Sequence, residues 1–126
     1  MTLTLRSLYG VAGWLLLAFG LVHIAATPNR FDTVTSGALW FVSGGVLLVV
    51  VASLNLLNRS YGVAAPGVRR VALGANIVNL GLAIAGGIVG RSGVTGWVIV
   101  LGILVPLTVL SAIPRAYGAQ VSTSAA

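Results

Sequence analysis

Polar and apolar positions along this chain do not alternate: they separate into four long apolar runs divided by short segments that hold nearly every charge. A hydrocarbon layer about 30 Å thick is crossed by about 20 helical residues, and in lipid a helix satisfies its own backbone. The runs therefore predict four membrane-spanning helices over about residues 7–26, 37–57, 71–89 and 94–113. Thr27-Pro28-Asn29 ends the first, because proline cannot extend the backbone ladder, and a loop to about Ser36 follows. Asn58-Arg59 ends the second, and the stretch RSYGVAAPGVRR carries the chain to the third. Arg91-Ser92-Gly93 reads as a tight turn, and Pro114-Arg115 closes the fourth span. The expected fold is an all-α integral membrane protein, a four-transmembrane-helix bundle over residues 1–115, with a flexible tail over 116–126.

Arg6 ahead of an apolar run, with Ala25-Ala26 behind it, has the outline of a signal peptide. Signal cores hold only about 7 to 15 residues and this run is longer, so a retained helix is expected.

Composition removes the soluble alternatives. The chain is 58% hydrophobic and 6% charged, with a mean hydropathy of +1.08, whereas a soluble domain carries roughly a quarter charged residues. All seven basic residues are arginines, Asp32 is the only acid, and cysteine is absent. A net charge of +6 suggests nucleic acid, but the arginines stand at span ends and not in one patch, so membrane topology accounts for them and no nucleic-acid partner is expected. Four spans put Arg6, Arg59, Arg69, Arg70 and Arg115 on one side and Arg30 and Arg91 on the other. By the positive-inside rule both termini are expected in the cytoplasm. Tyr9, Tyr61 and Tyr117 then fall at the inner boundary and Trp40 and Trp97 at the outer one; Trp40, Trp97, Arg59, Arg69 and Arg70 are the expected interfacial anchors.

The most unusual polar set is Asn55, Asn58, Asn76 and Asn79. A spacing of three puts each pair on one helix face, and the topology brings both pairs to the same half of the bundle. Two readings stand: a polar pocket for a headgroup or weakly bound ion, or amides that hydrogen-bond across helices. Asn58, beside Arg59, can also simply cap its helix.

His23, the only histidine, lies about one turn before the outer end of the first span. A lone imidazole cannot supply the ligands of a zinc site, and neither a metal nor another cofactor is predicted. The readings open to His23 are a metal or haem ligand, a proton relay or a pH-sensitive contact with the loop that contains Asp32, against an interfacial side chain bonded to a carbonyl, to Asp32 or to water. Arg30 and Asp32 flank Phe31 in the outer loop, where an exposed pair contributes about 0 to 1 kcal/mol.

Glycines are abundant in the first three spans, and close backbone approach through such faces is a main source of cohesion in lipid. Gly86 and Gly90 form a GxxxG that serves either the bundle or a second protomer. Pro106 lies midway along the fourth span and deletes the bond to Gly102, so a kink is expected there. No carboxylate lies inside any span, which disfavours a proton-coupled exporter. Paired carboxylates, a serine beside a histidine and phosphate-cradling loops are also missing, so no catalytic residue is assigned.

The strings LVHIAATPNRF and GALWFVSGGVLLVVVASLNLLNR resemble small four-span bacterial membrane proteins over roughly residues 20–60. His23, Thr27, Pro28, Phe31, Leu39, Trp40, Phe41, Gly45, Leu54 and Asn55 carry the resemblance. It implies the four-helix architecture and a bacterial cytoplasmic (inner) membrane, and it brings no activity with it.

The expected function is a small non-enzymatic inner-membrane protein, self-associating as a homo-oligomer or an accessory subunit of a larger complex. The bilayer is its surroundings, and a lipid or lipophilic small molecule its ligand. One alternative is an oligomeric small-solute transporter or channel lined by Asn55, Asn76 and Asn79. A second is a membrane redox protein or enzyme that uses His23.

Overall fold

The computed structural model describes residues 4–91 and 93–117, and these are helix joined by turns, bends and short irregular segments. Four helical stretches are long and apolar enough to cross a membrane: Leu5–Ala25, Ser36–Tyr61, Pro66–Val89 and Val94–Ala112. We label the elements α1 (Leu5–Ala25), α2 (Thr27–Arg30), α3 (Ser36–Tyr61), α4 (Pro66–Val89), α5 (Val94–Ile99), α6 (Val105–Ala112) and α7 (Pro114–Tyr117), with a π segment, Val100–Leu104, between α5 and α6.

Local chemistry sets the boundaries. Thr4 caps α1 by accepting from the Ser7 N–H, and Thr35 caps α3 by accepting from the Ala38 N–H, each at 3.1 Å. Pro66 opens α4, where a missing N–H costs nothing. Pro28 does not open a plain loop, as the sequence suggests; it stands in the first turn of α2, a position proline tolerates, so the chain makes one more helical turn before Phe31 extends. At the other end of the molecule Ile113 is extended ahead of Pro114, as the pre-proline clash requires, and the chain folds back as α7. Ala116 and Tyr117, read from sequence as the start of the tail, are thereby buried in the bundle. Residues 118–126 of that tail, and Ser92 of the α4–α5 turn, lie outside the described residues.

The expected disturbance at Pro106 takes the form of the π segment. A π turn passes a carbonyl to the N–H five residues on, and the segment ends just before Pro106, the residue that has no N–H to give.

The helices close a four-sided bundle in the order α1, α3, α4 and the α5–α6 stretch, which returns to α1. We call the end that holds Thr4, the α3–α4 connection and α7 the near end, and the end that holds α2 and the α4–α5 turn the far end. The α1–α3 seam is the tightest because glycines face it: a Cβ on Gly45 would stand 2.6 Å from Ile24 Cγ1, and one on Gly20 3.0 Å from the Val49 backbone nitrogen. Leu16, Val51, Leu104 and Leu107 fill the middle.

Polarity is distributed opposite to that of a soluble bundle. Asn55, Asn58, Asn76, Asn79 and Ser111 are buried, while Val22 (64% exposed), Trp14 (60%), Ile77 (57%) and Val98 (64%) face outward. An apolar exterior on every wall is what a hydrocarbon solvent accepts and water does not.

Candidate functional site: an amide cluster and a far-end cleft

Two arrangements of polar side chains stand out, one in each half of the bundle. In the near half, α1, α3 and α4 each present one face to a common point. Tyr9 Oη donates to Asn55 Oδ1 at 2.6 Å and accepts from Asn58 Nδ2 at 2.9 Å. Asn55 Nδ2 donates to Asn76 Oδ1 at 2.7 Å, and Asn76 Nδ2 donates back to Asn55 Oδ1 at 2.9 Å. The second hydrogen of the Asn55 amide goes to the Val51 carbonyl at 2.7 Å. Asn55 thus spends both donors and two acceptor sites, which is the condition for burying an amide at low cost.

This geometry corrects three sequence expectations. Tyr9 and Tyr117 do not face outward as residues of an interfacial belt would: both are buried, because a phenol finds a partner for its hydroxyl inside this bundle. Tyr61 alone of the three tyrosines is exposed. Asn58 is not a helix-end cap, since α3 runs on to Tyr61 and carries Asn58 inward. Asn79 lies one turn beyond Asn76 and is buried, but its Nδ2 has no partner among the described residues, nor has Asn58 Oδ1.

Tyr9 is the principal residue that sequence reasoning missed. Its signal was present: Tyr9, Gly13, Leu16 and Gly20 are spaced four, three and four apart and form the packed face of α1.

In the far half, α3 and α4 part around a cavity of about 780 Å³. Its walls include His23, Phe31, Trp40, Phe41 and Leu47, with Gly86 opposite. Glycine makes the space: a Cβ on Gly86 would meet nothing within 4 Å, and one on Gly44 would come only to 3.8 Å from His23 Nε2. The Gly86–Gly90 pair is therefore not a packing seam of this bundle but part of the cavity wall. His23 also borders a second, apolar cavity of about 270 Å³ with Phe19, Leu48 and Gly87, so its ring forms part of both walls.

The His23 ring stacks on Phe41 with centroids 3.8 Å apart and planes 19° from parallel. Phe19 meets its edge at 5.9 Å, and Phe31 leans on Phe41 at 5.7 Å. Arg30 places its guanidinium 5.6 Å from the Phe41 centroid, within the range of a cation–π contact. Among the described residues no three His, Cys, Asp or Glu side chains gather, so a metal at His23 would need ligands from outside this chain.

The remaining sequence-named residues divide between surface and seam. Trp40 is 80% exposed at the far end. Trp97 lies against α4, its indole 3.1 Å from where a Gly87 Cβ would be. Arg59 turns back along the bundle: its Nε donates to the Arg6 carbonyl at 3.0 Å, and its side chain covers Gly10. Arg69 and Arg70 stand near the start of α4. Comparison with protein-family models, with curated proteins and with solved structures gave no match.

Proposed function

We propose that this is a non-enzymatic, multi-pass protein of a bacterial cytoplasmic membrane that holds a lipid or lipophilic small molecule in the far-end cleft. The observation that carries the reading is the cavity of about 780 Å³ between α3 and α4, aromatic on one wall, glycine-lined on the other and fringed by the Arg30 cation. Sites for small molecules are concave, mostly apolar spaces of about 300 to 1,000 Å³ with few polar groups. The excess of arginines at the near end supports that end in the cytoplasm, and on that reading the cleft belongs to the outer leaflet. Self-association, or service as a subunit of a larger complex, accords with a bundle of this size.

A transport path along Asn55, Asn76 and Asn79 has weaker support, because the first two amides are engaged with one another and line none of the cavities described.

The test is the content of gently extracted protein. Mass spectrometry of wild type is expected to find a lipophilic molecule retained through purification, and Gly86→Leu, which fills the cleft, is expected to lose it. A wild type that carries only bulk lipid, or a variant that carries the same molecule, overturns the reading.

A further inference from the structure

A second cavity with a different chemistry lies at the near end. It measures about 400 Å³ and sits between the start of α4 and the α6–α7 bend, with Arg69 and Arg70 on one side and Ser111, Pro114 and Tyr117 on the other. Arg69 Nη1 donates to Tyr117 Oη at 3.4 Å, and its guanidinium lies 6.0 Å from the Tyr117 ring centroid. Tyr117 is itself buried, so it holds the Arg69 head at the cavity.

Among the described residues no acidic group balances the charge of this cavity. Two consecutive guanidiniums share it, and the only acidic side chain of the chain, Asp32, belongs to the opposite end of the bundle. The positive end of the α4 dipole adds to their charge and does not offset it. Arginines remain charged in proteins and match phosphate oxygens bidentately. The cavity also has apolar walls, Leu73 and Pro114 among them, and it opens at the end of helices long enough to span a bilayer. Basic pockets between transmembrane helices take anionic lipid headgroups.

We propose that the Arg69–Arg70 cavity is a site for the phosphate of an anionic phospholipid. The inference rests on the membrane reading of the four helices but not on the far-end cleft, and the two can fail separately.

Native mass spectrometry of the full chain, released from detergent with phosphatidylglycerol or with phosphatidylcholine of the same acyl chains, tests it. Phosphatidylglycerol is expected to be retained about 25-fold more strongly, two arginines each contributing roughly fivefold near a membrane surface. Arg69→Gln with Arg70→Gln should bring its retention down to that of phosphatidylcholine. Arg70→Gln alone spares the contact with Tyr117 and should remove about half of the preference on a logarithmic scale, which guards against a double variant that misfolds. Equal retention of the two lipids by wild type, or an unchanged preference in the folded Arg70→Gln variant, overturns the proposal. Inorganic phosphate bound as tightly as the lipid would also overturn it, and would make the cavity a site for a soluble anion.

Discussion

Asn55 on α3 and Asn76 on α4 hold each other through two reciprocal amide hydrogen bonds, of 2.7 and 2.9 Å, within the buried near half of the bundle. The pair is not symmetric in its surroundings, for Asn55 also receives the Tyr9 hydroxyl. Asn55→Leu therefore leaves the Tyr9 hydroxyl without its acceptor, though still bonded to Asn58, and the Asn76 amide without a partner, whereas Asn76→Leu leaves Asn55 bonded to Tyr9 and Val51. We expect Asn76→Leu to cost about 1 kcal/mol and Asn55→Leu about 2 kcal/mol. The double variant should cost less than their sum, because neither member of the Asn55–Asn76 pair is then left facing an apolar side chain. Reversible unfolding in mixed micelles checks the order.

Tyr9→Phe removes the hydroxyl that joins Asn55 to Asn58 and leaves Asn58 Nδ2 without its bond. The expected loss is about 1 to 2 kcal/mol. Asn58→Leu should be milder than Tyr9→Phe, since it also removes an Oδ1 that has no partner among the described residues. The same unfolding measurement compares the two, and an Asn58→Leu cost above that of Tyr9→Phe contradicts the assignment.

Glycines in this molecule fall into two classes that substitution should separate. A Cβ on Gly45 would stand 2.6 Å from Ile24 Cγ1 and 3.1 Å from the Gly20 carbonyl oxygen, whereas one on Gly74 or Gly81 meets nothing within 4 Å. Gly45→Ala should force α1 and α3 apart at a cost of about 1 to 3 kcal/mol. Gly74→Ala and Gly81→Ala should stabilise by up to about 1 kcal/mol, through backbone entropy alone. Thermal unfolding of the three variants in one detergent gives the signs.

Arg91 turns the chain from α4 toward α5 with φ at 49°, in the left-handed region that a side chain disfavours. Glycine has no Cβ to clash there, so Arg91→Gly should stabilise the protein by roughly 1 kcal/mol. A lower midpoint of thermal unfolding for this variant would show that the arginine head contributes more than its backbone costs.

What could be read from the sequence is what depends on neighbours along the chain. Span lengths, the proline stops and the shared face of Asn76 and Asn79 all follow from residues a few positions apart. The far partners did not follow. Nothing near Tyr9 announces that its hydroxyl meets Asn55 and Asn58 on another helix, and a tyrosine close to Arg6 fits a boundary equally well. Asn58 beside Arg59 looked like a terminus because charge usually marks one, yet Arg59 reaches sideways to the Arg6 carbonyl and lets α3 continue. Pro106 foretold a disturbance but not its form, since a kink and a π turn both relieve the same missing donor. The cleft was least legible of all: it is made by side chains that Gly44 and Gly86 do not have, on helices whose separation no local rule sets.

The π segment gives the fourth span a phase step. Val100–Leu104 follows a wider helical course than the α-helix on either side, so α5 and α6 do not share one angular frame. Excising Gly102 would merge the two into a single continuous ladder and rotate α5 against α6 by roughly 100°. Trp97 would then swing away from Gly87 while Leu107 stayed in the core. The wide turn thus acts as an indexing joint, which lets the two halves of one rod present faces chosen independently.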